Sequence, residues 1–205
     1  MPLLDDGPRS AIADLAARVS PYDGLEERDR AEILRWVASG APLFRVQPPA
    51  TPPRHLAVYF ALLDEHRREL MLVDHIKAGC WLLPGGHVDE GEDPRTTVVR
   101  EAQEELGIAA RFHEGLGGDR PFFLTVTQTR GPHSHTDVTL WFVLAADRGE
   151  PMRPDPGEFR GVSWFGLDEP IEWDAGTFDP QMHRFVAKLT TAVDGAYVAN
   201  GASAL

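Results

Sequence analysis

Between Gly86 and Ile108 the chain reads GHVDEGEDPRTTVVREAQEELGI, and three of its glutamates sit at spacings that a helix turns into one face. Glu101 lies three and four residues before Glu104 and Glu105, so three carboxylates crowd one side of a helix beginning near Pro94. Val98, Ala102 and Leu106 recur every four residues on another face, which supplies an apolar anchor for that helix. Pro94 suits a first turn, and Gly107 suits a helix stop. Like charges held together on a fixed element repel unless a hard divalent cation neutralises them, and carboxylate oxygens are the donors that Mg²⁺ or Mn²⁺ takes. Pro84-Gly85-Gly86, just upstream, reads as a tight loop whose backbone can approach a ligand closely. A solvated acidic helix face would account for the acids but not for the Gly-Gly loop, Arg100 and Gly107 at fixed offsets. Arg100 and Glu104, four residues apart, would by themselves make a surface ion pair worth a few tenths of a kcal/mol, on the order of 0.3.

The same stretch fits G-x5-E-x7-R-E-U-x-E-E-x-G-U, with U aliphatic, at Gly86, Glu92, Arg100, Glu101, Ala102, Glu104, Glu105, Gly107 and Ile108. In this it resembles the Nudix box, and the chain is identified as a Nudix hydrolase of the MutT-like kind. The resemblance covers roughly residues 54–193 and implies an α/β/α sandwich with a mixed sheet. It implies a Mg²⁺-dependent enzyme, with Mn²⁺ as an alternative, that hydrolyses a nucleoside diphosphate linked to another group. The Gly85 carbonyl, Glu101, Glu104 and Glu105 would hold the metal. Arg100 would orient Glu101, and Glu92 would hold the loop-helix-loop by hydrogen bonding. A second stretch, Gly157-Glu158-Phe159-Arg160-Gly161-Val162-Ser163-Trp164, is similar to a distal Nudix loop whose glutamate enters the metal site. Glu158 is therefore a candidate ligand or base, with a solvated loop glutamate as the plainer reading, and either Glu101 or Glu158 would accept the proton of the attacking water.

A chain of 205 residues that is 42% hydrophobic can bury one good core with flanking helices to spare. Its formal charge of −12 argues against a broad nucleic-acid-binding surface. No apolar run has the length of a membrane span, and the start MPLLDDGPRS lacks a targeting pattern, so a cytoplasmic protein is expected. One cysteine, Cys80, excludes an internal disulfide and a cysteine-rich zinc site. Only Lys77 and Lys188 among the basic residues are lysine, and the Ala/Arg/Gly/Pro bias suggests a GC-rich bacterial genome.

Apolar periodicity over Ser10–Val19 and Gly24–Ser39 predicts two amphipathic helices, an N-terminal extension read as a dimer contact or substrate lid. Gln47 to Pro53 reads as a semi-rigid proline-rich connector, which places a boundary at residue 53. Strands are expected at His55–Leu63, Glu69–Asp74, Trp81–Leu83, Pro121–Thr129, Asp137–Ala145 and Val162–Phe165, with helices at Pro94–Leu106 and Pro180–Val193. Residues 194–205 read as a weakly structured tail.

His133, His135 and Asp137 alternate in HSHTD and would share one face of a strand. A zinc site needs a completed ligand set, and no cysteine or further histidine motif supplies it, so His135 and Asp137, with His87 after the Gly-Gly loop, are assigned to substrate binding or to solvent. Trp81, Phe122, Phe123, Trp141 and Phe142 are mostly core, with base stacking as the alternative. Accessory signatures of the family narrow the substrate. A proline about fifteen residues after the box, which goes with ADP-ribose, and a slightly later tyrosine, which goes with diadenosine polyphosphates, do not fit Pro121-Phe122-Phe123-Leu124-Thr125-Val126. The coenzyme A signature is absent. A nucleoside triphosphate pyrophosphohydrolase remains by elimination, with nucleotide-sugar, dinucleotide polyphosphate or RNA 5′-pyrophosphohydrolysis as alternatives. A non-catalytic nucleotide sensor is the reading from another class, against which all the glutamates stand. Isopentenyl-diphosphate isomerases of this fold depart from the standard box, and Cys80 does not sit in their cysteine motif. A homodimer is left open.

Overall fold

A computed structural model of the chain describes residues 7–48, 51–129 and 134–202. The unbroken apolar run after Arg54 becomes β1 (Arg54–Asp64), buried along nearly all its length, as a strand covered on both faces must be. Seven strands are seen among the described residues, and β1 lies at their centre. One edge of β1 pairs in parallel with β6 (Thr136–Ala145), from Arg54 opposite Thr136 to Leu63 opposite Ala145. Its other edge takes two antiparallel partners in succession: β4 (Gly85–His87) opposite Ala57–Tyr59, and β2 (Glu69–His75) opposite Leu62–Asp64. β3 (Cys80–Leu82) and β7 (Phe159–Gly166) pair with β2, and β5 (Phe123–Gln128) pairs with β6. The sheet is mixed, as expected.

Period-two alternation divides this sheet into two cores. Leu56, Val58, Phe60 and Leu62 of β1, with Val138, Leu140, Phe142 and Leu144 of β6, face α3 (Pro94–Leu106) through Val98, Ala102 and Leu106. The other face, with Leu63, Leu70, Leu72, Trp141 and Val143, packs on Met182, Phe185, Val186 and Leu189 of α4 (Met182–Ala202). α1 (Gly7–Ala17) and α2 (Gly24–Ala38) bury Ile12, Leu15, Ile33, Trp36 and Val37 in the same core as α3. The apolar stripe that suggested a dimer contact or lid is thus used within the chain. α2 also covers the edge strand β5, where Asp29 accepts a hydrogen bond from the Val126 N–H.

Two expectations change. Gly85–His87 is a strand rather than a loop; three residues with two glycines offer no propensity signal, and β1 imposes the pairing. The segment from Asp194 to Ala202 continues α4 where a weakly structured tail was expected, because a single Gly195 without a proline does not stop a helix already docked by Leu189 and Val193. Within the connector, Gln47 and Thr51 bond each other through both N–H groups, at 3.1 Å and 3.0 Å. Among the described residues no helix is long and apolar enough to cross a membrane.

Candidate active site

α3 begins where Asp93 accepts the Arg95 N–H at 2.9 Å and ends at Gly107, whose φ of 66° is one that glycine adopts without strain. Between these caps its polar face meets β4. Arg100 ties the segment together: its Nε and Nη2 donate to the two carboxylate oxygens of Glu92 at 3.2 Å and 3.1 Å. Its Nη1 donates to Glu101 at 2.8 Å and Glu104 at 3.1 Å. Arg100 therefore does more than bridge one helical turn. Glu92 also accepts from the Thr97 hydroxyl at 2.8 Å and the Asp89 N–H at 3.3 Å, which pins the loop before the helix to its first turn.

Glu105 is almost fully buried and accepts the Gly85 N–H at 2.9 Å, which fixes β4 against the helix. Burial, reinforced by Glu101 and Glu158, pushes its carboxyl up to about 9. Burial also raises Glu101, although Arg100 beside it works the other way. Glu158 reaches the cluster from the loop before β7. That loop is tied to the end of α3, since Asp155 N–H donates to the Glu105 carbonyl and Arg153 N–H to the Leu106 carbonyl, both at 2.8 Å. The Glu158 carboxyl then hydrogen-bonds that of Glu105. Glu104 is the exposed member, held by Arg100. Carboxylates forced together in a partly buried site form a donor set that fits a hard divalent cation such as Mg²⁺ or Mn²⁺. Gly86 completes the cradle, because a Cβ there would lie 2.2 Å from Glu101 Oε1.

The NUDIX domain family model matches residues 53–189. The chain belongs to the Nudix family. Among curated Nudix relatives, Nudix hydrolase 6 of Arabidopsis thaliana is 30% identical over 80% of this chain and 55% of its own length. A putative 8-oxo-dGTP diphosphatase 3 of Mycobacterium tuberculosis is 40% identical over 66% of this chain and 54% of its own. The chain spans about half the length of these relatives. The crystal structure of a MutT Nudix hydrolase from Burkholderia pseudomallei superimposes with a TM-score of 0.50 at 25% identity, covering 66% of this chain and 97% of that one. The likeness confirms the expected Nudix sandwich.

On the other side of β4 from Glu101, the Nudix chain gathers a second group. Alternation sends His87 to the opposite face from Gly86, where it meets His55, His135 and Asp137. His55 escaped the sequence reading because it opens the apolar run of β1, yet it is opposite Asp137 in the parallel β1–β6 register and fully buried. The further histidine that a metal there would require, absent from the local spacing of the sequence, is therefore supplied by the fold. His133 lies outside the described residues. Burial lowers the His87 pKa and so favours its neutral ring. Trp81, Phe122, Phe123, Trp141 and Phe142 pack in or against the two cores, as their core reading expects.

Proposed function

We propose that this Nudix protein hydrolyses a phosphoanhydride bond of a nucleoside diphosphate-X compound, with a nucleoside triphosphate, cleaved to monophosphate and pyrophosphate, as the substrate class. The observation that carries the reading is the convergence of Glu158 on Glu105 and Glu101 from a separate loop, with Arg100 clamped across Glu92, Glu101 and Glu104. A purely structural acidic helix has no use for a fourth carboxylate brought in from 53 positions beyond Glu105 to a buried site.

The residues that would hold the divalent ion are Glu101, Glu104, Glu105 and Glu158 with the Gly85 carbonyl. When bound, such an ion neutralises the diphosphate, polarises phosphorus and acidifies water. The chain's own part is positioning and proton transfer. The Gly85 N–H and the α3 anchor fix Glu105, and Arg100 fixes Glu101. Glu101 or Glu158 accepts the proton of the water that attacks phosphorus, while the anhydride P–O bond breaks and pyrophosphate leaves. The M. tuberculosis relative named as a putative 8-oxo-dGTP diphosphatase supports a triphosphate over a nucleotide sugar.

The test is Mg²⁺-dependent pyrophosphate and phosphate release from nucleoside triphosphates, oxidised nucleotides, nucleotide sugars, dinucleotide polyphosphates and 5′-triphosphorylated RNA, with Glu105→Gln as control. Pyrophosphate from one triphosphate class, lost in the variant, supports the reading. Turnover confined to nucleotide sugars or dinucleotides would replace the substrate class, and nucleotide binding without any turnover would replace hydrolysis with sensing.

A further inference from the structure

We propose that His55, His87, His135 and Asp137 form a second cation site, separate from the carboxylate cluster, that takes a tetrahedral Zn²⁺ ion. Each residue offers one atom, and the four atoms lie within 4.8 Å of one another. Asp137 Oδ1 is 3.4 Å from His55 Nε2, 3.5 Å from His87 Nε2 and 3.2 Å from His135 Nε2. A tetrahedral zinc ion with bonds of about 2.0–2.1 Å sets its ligands about 3.3–3.4 Å apart, the spacing found around this oxygen.

A hydrogen-bond network does not account for the arrangement. The His55 Nδ1 lies 2.7 Å from the Pro52 carbonyl, which can only accept, so the proton of a neutral His55 ring sits on Nδ1. The buried Nε2 then presents a lone pair to a carboxylate oxygen, and it finds no hydrogen-bond partner. Two facing lone pairs, in a ring with no access to water, need a cation between them. His87 Nε2 and Asp137 Oδ1 are buried in the same way without partners. His135 is oriented from outside the cluster, with Thr129 Oγ1 3.2 Å from its Nδ1. Carbonyl and hydroxyl contacts on the distal ring nitrogen are how metal-ligating histidines are aimed.

Three imidazoles and one carboxylate select zinc over Mg²⁺ or Ca²⁺, which prefer all-oxygen shells. The site joins the first residues of β1 and β6 to the end of β4. An ion there would therefore brace the strand whose Gly85 and Gly86 contact Glu105 and Glu101.

The experiment uses the full chain without an affinity tag, stripped with a chelator and reloaded with Zn²⁺ or Co²⁺. Elemental analysis after gel filtration should find one zinc per chain, and Co²⁺ should give the intense visible bands of a tetrahedral centre. His55→Asn and His135→Asn should each lose the retained zinc and those bands, whereas Glu105→Gln should keep both. The His135 variant, at a partly exposed position before β6, provides the test if the buried His55 variant does not fold. Folded wild-type protein that retains no zinc, weak octahedral Co²⁺ bands, or full zinc retention in the folded histidine variants would each overturn the proposal.

Discussion

Gly86 has no room for a side chain, and this makes it a sharp probe of the carboxylate site. A Cβ would meet Glu101 Oε1 at 2.2 Å and its carboxyl carbon at 2.6 Å, so Gly86→Ala must displace Glu101 from Arg100. Misplacing a reacting group by about 1 Å costs on the order of 10²-fold in rate. Steady-state kinetics should show that loss mainly in kcat, with a melting temperature close to wild type because the backbone there needs no unusual φ. Glu105→Gln keeps the acceptor for the Gly85 N–H but removes the charge, so kcat should fall on the order of 10²-fold or more while the fold persists. The same substitution carries a pH signature in chelator. Glu105 is raised from 4.5 to about 9, so between those values the folded state holds the proton that the unfolded state has released. Stability must then fall as pH rises through that window. Urea midpoints should decline from pH 5 to pH 9 in the wild type and stay flatter in Glu105→Gln; equal slopes would remove the buried acid from the account. Spacing on one helix made Glu101, Glu104 and Glu105 legible in the sequence. It could not reveal His55, since a histidine at the start of an apolar run meets its partners only through strand register.

At the scale of elements, boundaries were readable where local chemistry sets them. α3 runs from Pro94 to Leu106 as expected because Asp93 and Gly107 cap it by their own side chain and φ. β4 and the length of α4 were not readable, since pairing with β1 and docking on the sheet decide them. The packing of α2 beside α4 was equally hidden, because the ion pairs that latch them span more than 160 positions. Asp23 accepts the Leu25 and Glu26 N–H groups as the cap of α2 and takes Arg184 Nη2 and Nε at 2.6 Å and 2.8 Å. Lys188 Nζ meets the buried Glu26 at 2.8 Å and the Ser20 carbonyl at 2.7 Å. Losing a cap costs about 1 kcal/mol, and losing a charge-assisted pair about 1.5–3, so Asp23→Ala should destabilise by roughly 2.5–4 kcal/mol in urea unfolding at pH 7. Arg184 holds the Asp23 carboxyl far below the usual range, so its contribution is complete above about pH 4 and fades as the pH falls further. The gap between variant and wild type should therefore shrink at pH 3. An unchanged gap would mean that packing rather than charge holds α2.

For the whole molecule, the N-terminal helices decide whether the Nudix sandwich can stand alone. The family match begins at residue 53, yet Ile12, Leu15, Ile33, Val37 and Leu43 are buried in one cluster with Val58, Phe60, Leu140 and Phe142 of the sheet. Burying each such aliphatic side chain is worth about 1.5–3 kcal/mol, and a domain's net stability is only about 5–15 kcal/mol. Five of them removed at once take away an amount comparable to that whole reserve. They would also uncover the face of β6 and the edge of β5, where unpaired strand groups invite aggregation. Deleting residues 1–47 should accordingly give an insoluble or molten chain rather than a smaller enzyme with altered substrate preference or oligomer mass. Circular dichroism and thermal melts of the truncated and full-length chains decide the matter. A soluble truncation with a cooperative transition near the wild-type temperature would mean that the helices are an attachment after all. Loss of the transition would mean that this chain extended the Nudix core by two helices and came to depend on them, since the sheet residues packed with them, Val58, Phe60, Leu140 and Phe142, are apolar.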